Sequence, residues 1–288
     1  MKRIMRALWS AFVGVALLLA LSLQASTAVV PHGTDPIHLP LTIIQSNPVT
    51  TITVGERTVQ AIVDTGGGAL KLSKEVLDSV GAVSLGDSVV STDASGHEFE
   101  HRRFRVPVAT IGGHTFHDIV AIQAPETGRP PIPNGIGRQF LSQYFVVVDY
   151  AGADITLWPP DTKNLVQTKC GRTRIPMEHT EEDNRLVVSN FETESGHIRL
   201  LWDTGATYSA LPETIAEKLR LPTIVRGPGS PKFYQSKMLS AAGQDLGPVE
   251  FVVLPLKLSG DFEGMLGWNF FEHHVVCLDY KQREIRIR

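Results

Sequence analysis

Cysteine is scarce in this chain: Cys170 and Cys277 are the only two in 288 residues. Two cannot staple a small scaffold, so the fold must rest on an ordinary apolar core. Cys277 sits in the apolar run Val275-Val276-Cys277-Leu278 and reads as core, although an oxidising compartment leaves a bridge to Cys170 open. Positive charge is not in excess either, with 27 Lys and Arg against 30 Asp and Glu, which argues against a nucleic-acid partner. The ten histidines are scattered. Neither His114 with His117 nor His273 with His274 has a companion set of ligands, so no metal site is expected. No Asn-x-Ser/Thr sequon occurs, which favours a bacterial exported protein over a eukaryotic secreted one.

Only the start of the chain departs from globular character. Lys2, Arg3 and Arg6 precede the apolar stretch 7–23, and Ala25-Ser26-Thr27-Ala28 follow it. That order of positive, apolar and small residues is a secretory signal peptide over 1–28, cut after Ala28. The competing reading is an uncleaved anchor helix, but the stretch is short against the roughly 20 apolar residues of a span. No Cys follows it, which argues against a lipid anchor. The expected location is the periplasm or the cell exterior, with membrane contact only if the leader stays. The remainder, within a chain 42% hydrophobic and 20% charged, makes one large domain or two small ones.

What is present is a repeat. Asp64-Thr65-Gly66 and Asp203-Thr204-Gly205 each end an apolar run, 59–63 and 198–202. An ionisable Asp at the end of a buried strand is costly unless a site uses it, and two in matching contexts point to carboxylates that meet. Ahead of Asp64, a strand over 49–54, a turn at 55–57 and a returning strand over 58–63 are expected. Ahead of Asp203 the same order runs 186–191, 193–196 and 197–202. Short helices over 74–79 and 212–219 follow the triplets, the second with Pro near its first turn. Gly135-Ile136-Gly137-Arg138-Gln139-Phe140 matches Met265-Leu266-Gly267-Trp268-Asn269-Phe270. Without a gap, Val146-Val147-Val148-Asp149-Tyr150 then matches Val276-Cys277-Leu278-Asp279-Tyr280. Two β-rich lobes, 36–158 and 172–288, joined by a linker at 159–171 and related by an approximate two-fold axis, are the expected architecture.

These residues resemble the aspartic proteases of the pepsin/retropepsin superfamily, and in particular bacterial exported proteins that fuse two retropepsin-like units. Each half carries Asp-Thr-Gly and, 73 or 64 residues after its Asp, the apolar-Gly pair Ile136-Gly137 or Leu266-Gly267. The resemblance implies an all-β, bilobal acid-protease fold in which Asp64 and Asp203 form a catalytic dyad. Amide hydrolysis without a metal needs a base to activate water and an acid to protonate the carbonyl oxygen. Two carboxyls sharing one proton supply both, because like charges about 3 Å apart do not both ionise readily. The resemblance also implies that Thr65 and Thr204 bond across the axis to the opposite strand's backbone, where a local turn bond is the alternative. Gly66 and Gly205 let backbone approach the carboxylates. Gly67 and Ala206 stand where pepsin-like lobes carry a hydroxyl, so the dyad is expected to work at a less acidic pH than pepsin's.

A hairpin over 91–99, with Ala94, Ser95 and Gly96 near its tip and His97 and Phe99 behind, lies where a flap belongs. An ordinary solvated hairpin is the alternative. In the second lobe Ala242 and Gly243 are the shorter candidate. The resulting expectation is a monomeric, cofactor-free and metal-free endopeptidase acting on peptide or protein substrates. A peptide-binding module with an idle dyad, and a processing enzyme narrowed to one partner, are the competitors.

Overall fold

In the computed structural model of the chain the described residues are 35–126, 132–160, 168–179, 187–258 and 261–288. The expected leader (1–28), most of the expected linker and position 186 lie outside them. The first lobe contains β1 (Ile37–Pro40), β2 (Thr42–Ile44), β3 (Asn47–Val54), β4 (Arg57–Asp64), β5 (Leu70–Leu72), α1 (Lys74–Ser79) and β6 (Val83–Thr92). It continues through β7 (Glu98–Ile111), β8 (His114–Gln123), β9 (Gly135–Gly137), α2 (Arg138–Leu141), β10 (Phe145–Asp149) and β11 (Asp154–Trp158). The second lobe opens with β12 (Ile175–Pro176), β13 (Glu178–His179), β14 (Val187–Thr193), β15 (Gly196–Trp202), β16 (Ala210–Leu211), α3 (Glu213–Lys218) and β17 (Thr223–Ile224). It closes with β18 (Phe233–Ser236), β19 (Leu239–Ala241), β20 (Gln244–Asp245), β21 (Val249–Val253), β22 (Gly264–Leu266), α4 (Trp268–Phe271), β23 (Val275–Asp279) and β24 (Glu284–Ile287).

Both lobes use one topology. In the first, β4 runs parallel to β9 and β5 parallel to β8, and β5 lies antiparallel to β9. In the second, β15 with β22, β16 with β21, and β16 with β22 repeat those three pairings. Period-two alternation sets the faces. On β4, Ala61 and Val63 are fully buried in the lobe core, while Ile62 and Asp64 look out from the opposite face. The helices are brief, and among the described ones α1 alone has a side-chain cap, the Ser73 hydroxyl accepting from Val76 N. In the second core Trp202 is fully buried against Phe191, Phe270 and Phe271. Truncating it to Ala costs about 3–5 kcal/mol, and its own carbonyl is part of the site described below.

A third sheet, β1-β11-β10-β23-β24-β12, is shared by the two lobes. Where they meet, β10 and β23 pair antiparallel, with Phe145 opposite Asp279, Val147 opposite Cys277 and Asp149 opposite Val275. Because residues 145–149 and 275–279 are equivalent in the repeat, this register is its own mirror about Val147 and Cys277. The two-fold axis passes there. Of the two readings left open for Cys277, both apply: it is fully buried in the core and disulfide-bonded to Cys170, 107 residues away. The bridge ties the segment entering the second lobe to the interlobe sheet at its axis. Among the described residues no helix is long and apolar enough to cross a membrane.

Candidate active site

Each Asp-Thr-Gly triplet leaves the end of a central strand, β4 or β15, and turns back under the glycine string that follows β9 or β22. Arg138 N donates to Gly67 O at 2.8 Å, and Trp268 N donates to Ala206 O at 2.9 Å. The approach is too close for a side chain. A Cβ on Gly137 would lie 2.5 Å from Ala69 O, and one on Gly267 would lie 2.6 Å from Tyr208 O.

The two threonines interlock across the axis. Thr65 Oγ1 donates to Trp202 O at 2.8 Å and Thr204 Oγ1 donates to Val63 O at 2.7 Å. In return Thr65 N donates to Thr204 Oγ1 and Thr204 N to Thr65 Oγ1, both at 3.0 Å. The side chains are buried, so all four bonds are sheltered from water. The local turn bond is not the one formed.

The same exchange brings the carboxylates together. A Cβ on Gly66 would meet Asp203 Oδ1 at 2.7 Å, and one on Gly205 would meet Asp64 Oδ1 at 2.7 Å. Each acid therefore lies against the other triplet's glycine. Gly67 N donates to Asp64 Oδ1 at 2.7 Å, while Gly205 N and Ala206 N donate to Asp203 Oδ1 at 2.9 and 3.2 Å. Burial, then the charge of Asp64, push the Asp203 carboxyl well above the usual carboxylate range, against the lowering pull of those two N–H groups. A hydrogen bond between the two acids adds to the rise. One proton is thus retained between them.

A stability consequence follows. The folded pKa of Asp203 lies above its unfolded value near 3.8. The stability its proton contributes is complete below the unfolded value and lost as pH rises through the folded one. Thermal denaturation should therefore give a lower Tm at about pH 7 than at about pH 4–5 from this pair. Asp203→Asn should remove that difference and raise the neutral Tm by about 2–6 °C.

Sequence reasoning gave no role to Tyr150, although it is the repeat partner of Tyr280. Its buried hydroxyl donates to Thr204 O at 3.1 Å and its ring stacks on Trp268, with centroids 4.9 Å apart. Burial and the nearby Asp203 and Asp64 charges hold this phenol protonated. The Tyr280 hydroxyl is buried with no hydrogen-bond partner among the described residues, so the two-fold symmetry is broken here. The signal was in the sequence: a Tyr directly after each strand that carries the axis.

Ala94, Ser95, Gly96 and His97 form the tip of the β6–β7 hairpin. Asp93 Oδ1 accepts from Ser95 N, Ser95 Oγ and His97 N, which rigidifies the turn, and His97 stacks on Phe99 at 4.5 Å. At its base the buried His101 holds Ser91 Oγ at 2.7 Å with Nε2, while Nδ1 donates to Gln123 O at 2.9 Å. The tip crosses to the second lobe, where Lys257 N donates to Ala94 O at 2.9 Å. Ala242 and Gly243 are placed differently. They turn from β19 to β20, and β19 pairs with β14 at Glu192 and Thr193, the end of the β14–β15 hairpin away from Asp203. Their counterpart in the first lobe is the Gly112-Gly113 turn after β7, which pairs with β3 in the same way. The second-lobe equivalent of the β6–β7 hairpin is β17–β18, turning through 225–232. Among the described residues no three His, Cys, Asp or Glu gather as a metal site, and His114, His117 and His273-His274 lie on β8 and after α4.

Two lobes, a shared sheet and a cross-bonded pair of Asp-Thr-Gly loops define the two-lobed pepsin-like aspartic proteinase fold. Residues 50–140 match a family model described as aspartyl protease. The chain is similar in structure to the aspartic proteinase from Irpex lacteus, with a TM-score of 0.63 at 14% identity, over 88% of this chain and 97% of that one. It is also similar to basic 7S globulin from soybean, with a TM-score of 0.59 at 11% identity, over 88% and 95%. No curated protein sequence matches it.

Proposed function

We propose that this protein is an aspartic endopeptidase that hydrolyses peptide bonds with water activated between Asp64 and Asp203. The observation that carries the reading is the reciprocal packing of each carboxylate against the opposite triplet's glycine, held by the Thr65–Thr204 exchange. The ionised member takes a proton from water while the protonated member gives one to the scissile carbonyl oxygen. The β6–β7 hairpin offers backbone groups to an extended peptide and covers it from solvent. The chain works as a monomer, since both halves of the dyad come from it, and it acts outside the cytoplasm on peptide or protein substrates without a cofactor.

Peptide-library cleavage across about pH 3–7 tests the reading, with Asp64→Asn as control. The rate should fall at low pH as the second carboxyl protonates, and at high pH as the retained proton leaves. With no hydroxyl side chain at Gly67 or Ala206, its maximum lies above pepsin's, and a peak near pH 2 would contradict that. A second reading, a binding module with an idle dyad, is favoured by the hairpin tip's bond to Lys257, which bridges the lobes. Inhibition of turnover by a statine-type mimic separates the two.

A further inference from the structure

The repeat lets the two walls beside the dyad be compared position by position. Ile62 shares the face of β4 that carries Asp64, and lateral pairing extends that face across the sheet. Its rank in the first lobe reads Ile62, Gly135, Lys71, Ile122 and Arg103, over β4, β9, β5, β8 and β7. The matching rank beside Asp203 reads Leu201, Met265, Ala210, Val252 and Phe233, over β15, β22, β16, β21 and β18. All five of the latter are buried apolar residues, packed with Phe262 and lined by Ala206 and Tyr208 from the Asp-Thr-Gly turn. The first-lobe rank has a glycine where the second has Met265, and a lysine where the second has Ala210.

Those two exchanges work together. Lys71 Cε would lie 3.6 Å from a Cβ on Gly135, so the ammonium stem crosses the space that Met265 fills in the other lobe. Arg103 is already neutralised by Asp87, its Nη1 lying 2.6 Å from Oδ2. Lys71 is half-buried and has no ion-pair or hydrogen-bond partner among the described residues. A half-buried cation on the reacting face, with room beside it and no counter-ion, is suited to receive one from a ligand.

We infer that the cleft is asymmetric in charge and selects peptides with an acidic side chain on the Asp64 side of the scissile bond and an apolar one on the Asp203 side, Lys71 being the specificity-determining residue. This rests on the endopeptidase reading, and its test is built so that each can fail separately. The probes are fluorogenic octapeptides with Leu on one side of the scissile bond and Glu, Gln or Lys on the other, made in both orders and assayed at about pH 5.5, where a peptide Glu is ionised. In one order kcat/KM for Glu should exceed that for Gln by about tenfold. Lys71→Met should abolish that ratio and Lys71→Glu should turn it in favour of Lys. Lys74→Met, an exposed lysine on α1, should leave it intact. A Glu preference that survives in active Lys71→Met, or that is missing in both orders, overturns the inference. If no peptide is turned over, the endopeptidase reading fails. The pocket is then judged by fluorescence-anisotropy binding of the same peptides to Asp64→Asn, with and without Lys71→Met. Loss of the Glu preference on adding Lys71→Met sustains the inference, and an unchanged or absent preference overturns it.

Discussion

Asp64→Asn and Asp203→Asn should each lower kcat by about 10⁴-fold while leaving peptide affinity within a few fold. The amide is nearly isosteric, and its oxygen can still accept the bond from Gly67 N, or from Gly205 N and Ala206 N. What it cannot do is hold the proton that the pair shares, so either single substitution removes both the base and the acid as a working unit. The double variant should therefore be little worse than either single one. Circular dichroism and thermal melts on the same samples check that the fold is kept. Stability at neutral pH should rise rather than fall, because a buried carboxyl that burial and its neighbour's charge set against ionising is replaced by a neutral amide. A single Asn variant that retained more than a tenth of the wild-type kcat would mean that the chemistry resides elsewhere.

Thr204→Val should be the most damaging substitution near the site that removes no carboxylate. It deletes the donor to Val63 O and the acceptor of Thr65 N, both buried, and it cuts the link between the two loops. An unsatisfied buried polar group costs about 1–3 kcal/mol, so a loss of about 2–5 kcal/mol is expected in urea unfolding. Thr204→Ser, which keeps the hydroxyl, should recover most of it. Thr65→Val removes the equivalent pair of bonds, and the double variant should cost clearly less than the two singles together, because the exchange acts as one unit. Activity should fall with it, since a carboxylate displaced by about 1 Å no longer shares its proton in the right geometry. Strict additivity would show that the two threonines act independently.

The sequence disclosed the parts of the fold that repeat. Asp64 and Asp203, the glycine strings at Gly137 and Gly267, and the ungapped match ending at Asp149 and Asp279 were enough to place a common topology twice. The helices Lys74–Ser79 and Glu213–Lys218 were legible as short segments behind each triplet, the latter with Pro212 near its first turn. The second-lobe flap was not. Ala242-Gly243 has the turn chemistry of any hairpin, with both residues at positive φ, and turn chemistry does not say which hairpin crosses the cleft. The pairing of β19 with β14, a long-range contact, decides that. The Cys170–Cys277 bridge stayed open in the sequence for a similar reason. Burial and pairing are compatible, and only the folding of the incoming segment onto the axis brings Cys170 to Cys277. Tyr150 escaped because a Tyr after a core strand is ordinary until its hydroxyl is seen on Thr204 O. The contrast between Lys71 and Ala210 was available as letters but had no meaning before register put both on the faces that carry the two acids.

The shared proton is the claim on which the rest depends, and carboxyl-carbon NMR titration of Asp64 and Asp203 reads it directly. Both signals should report a common step well above the ordinary carboxylate range, and Asp64→Asn should move the Asp203 step back toward that range by removing the neighbouring charge. Two independent titrations, each near the ordinary value of about 3.9 and indifferent to the loss of the partner, would contradict the account.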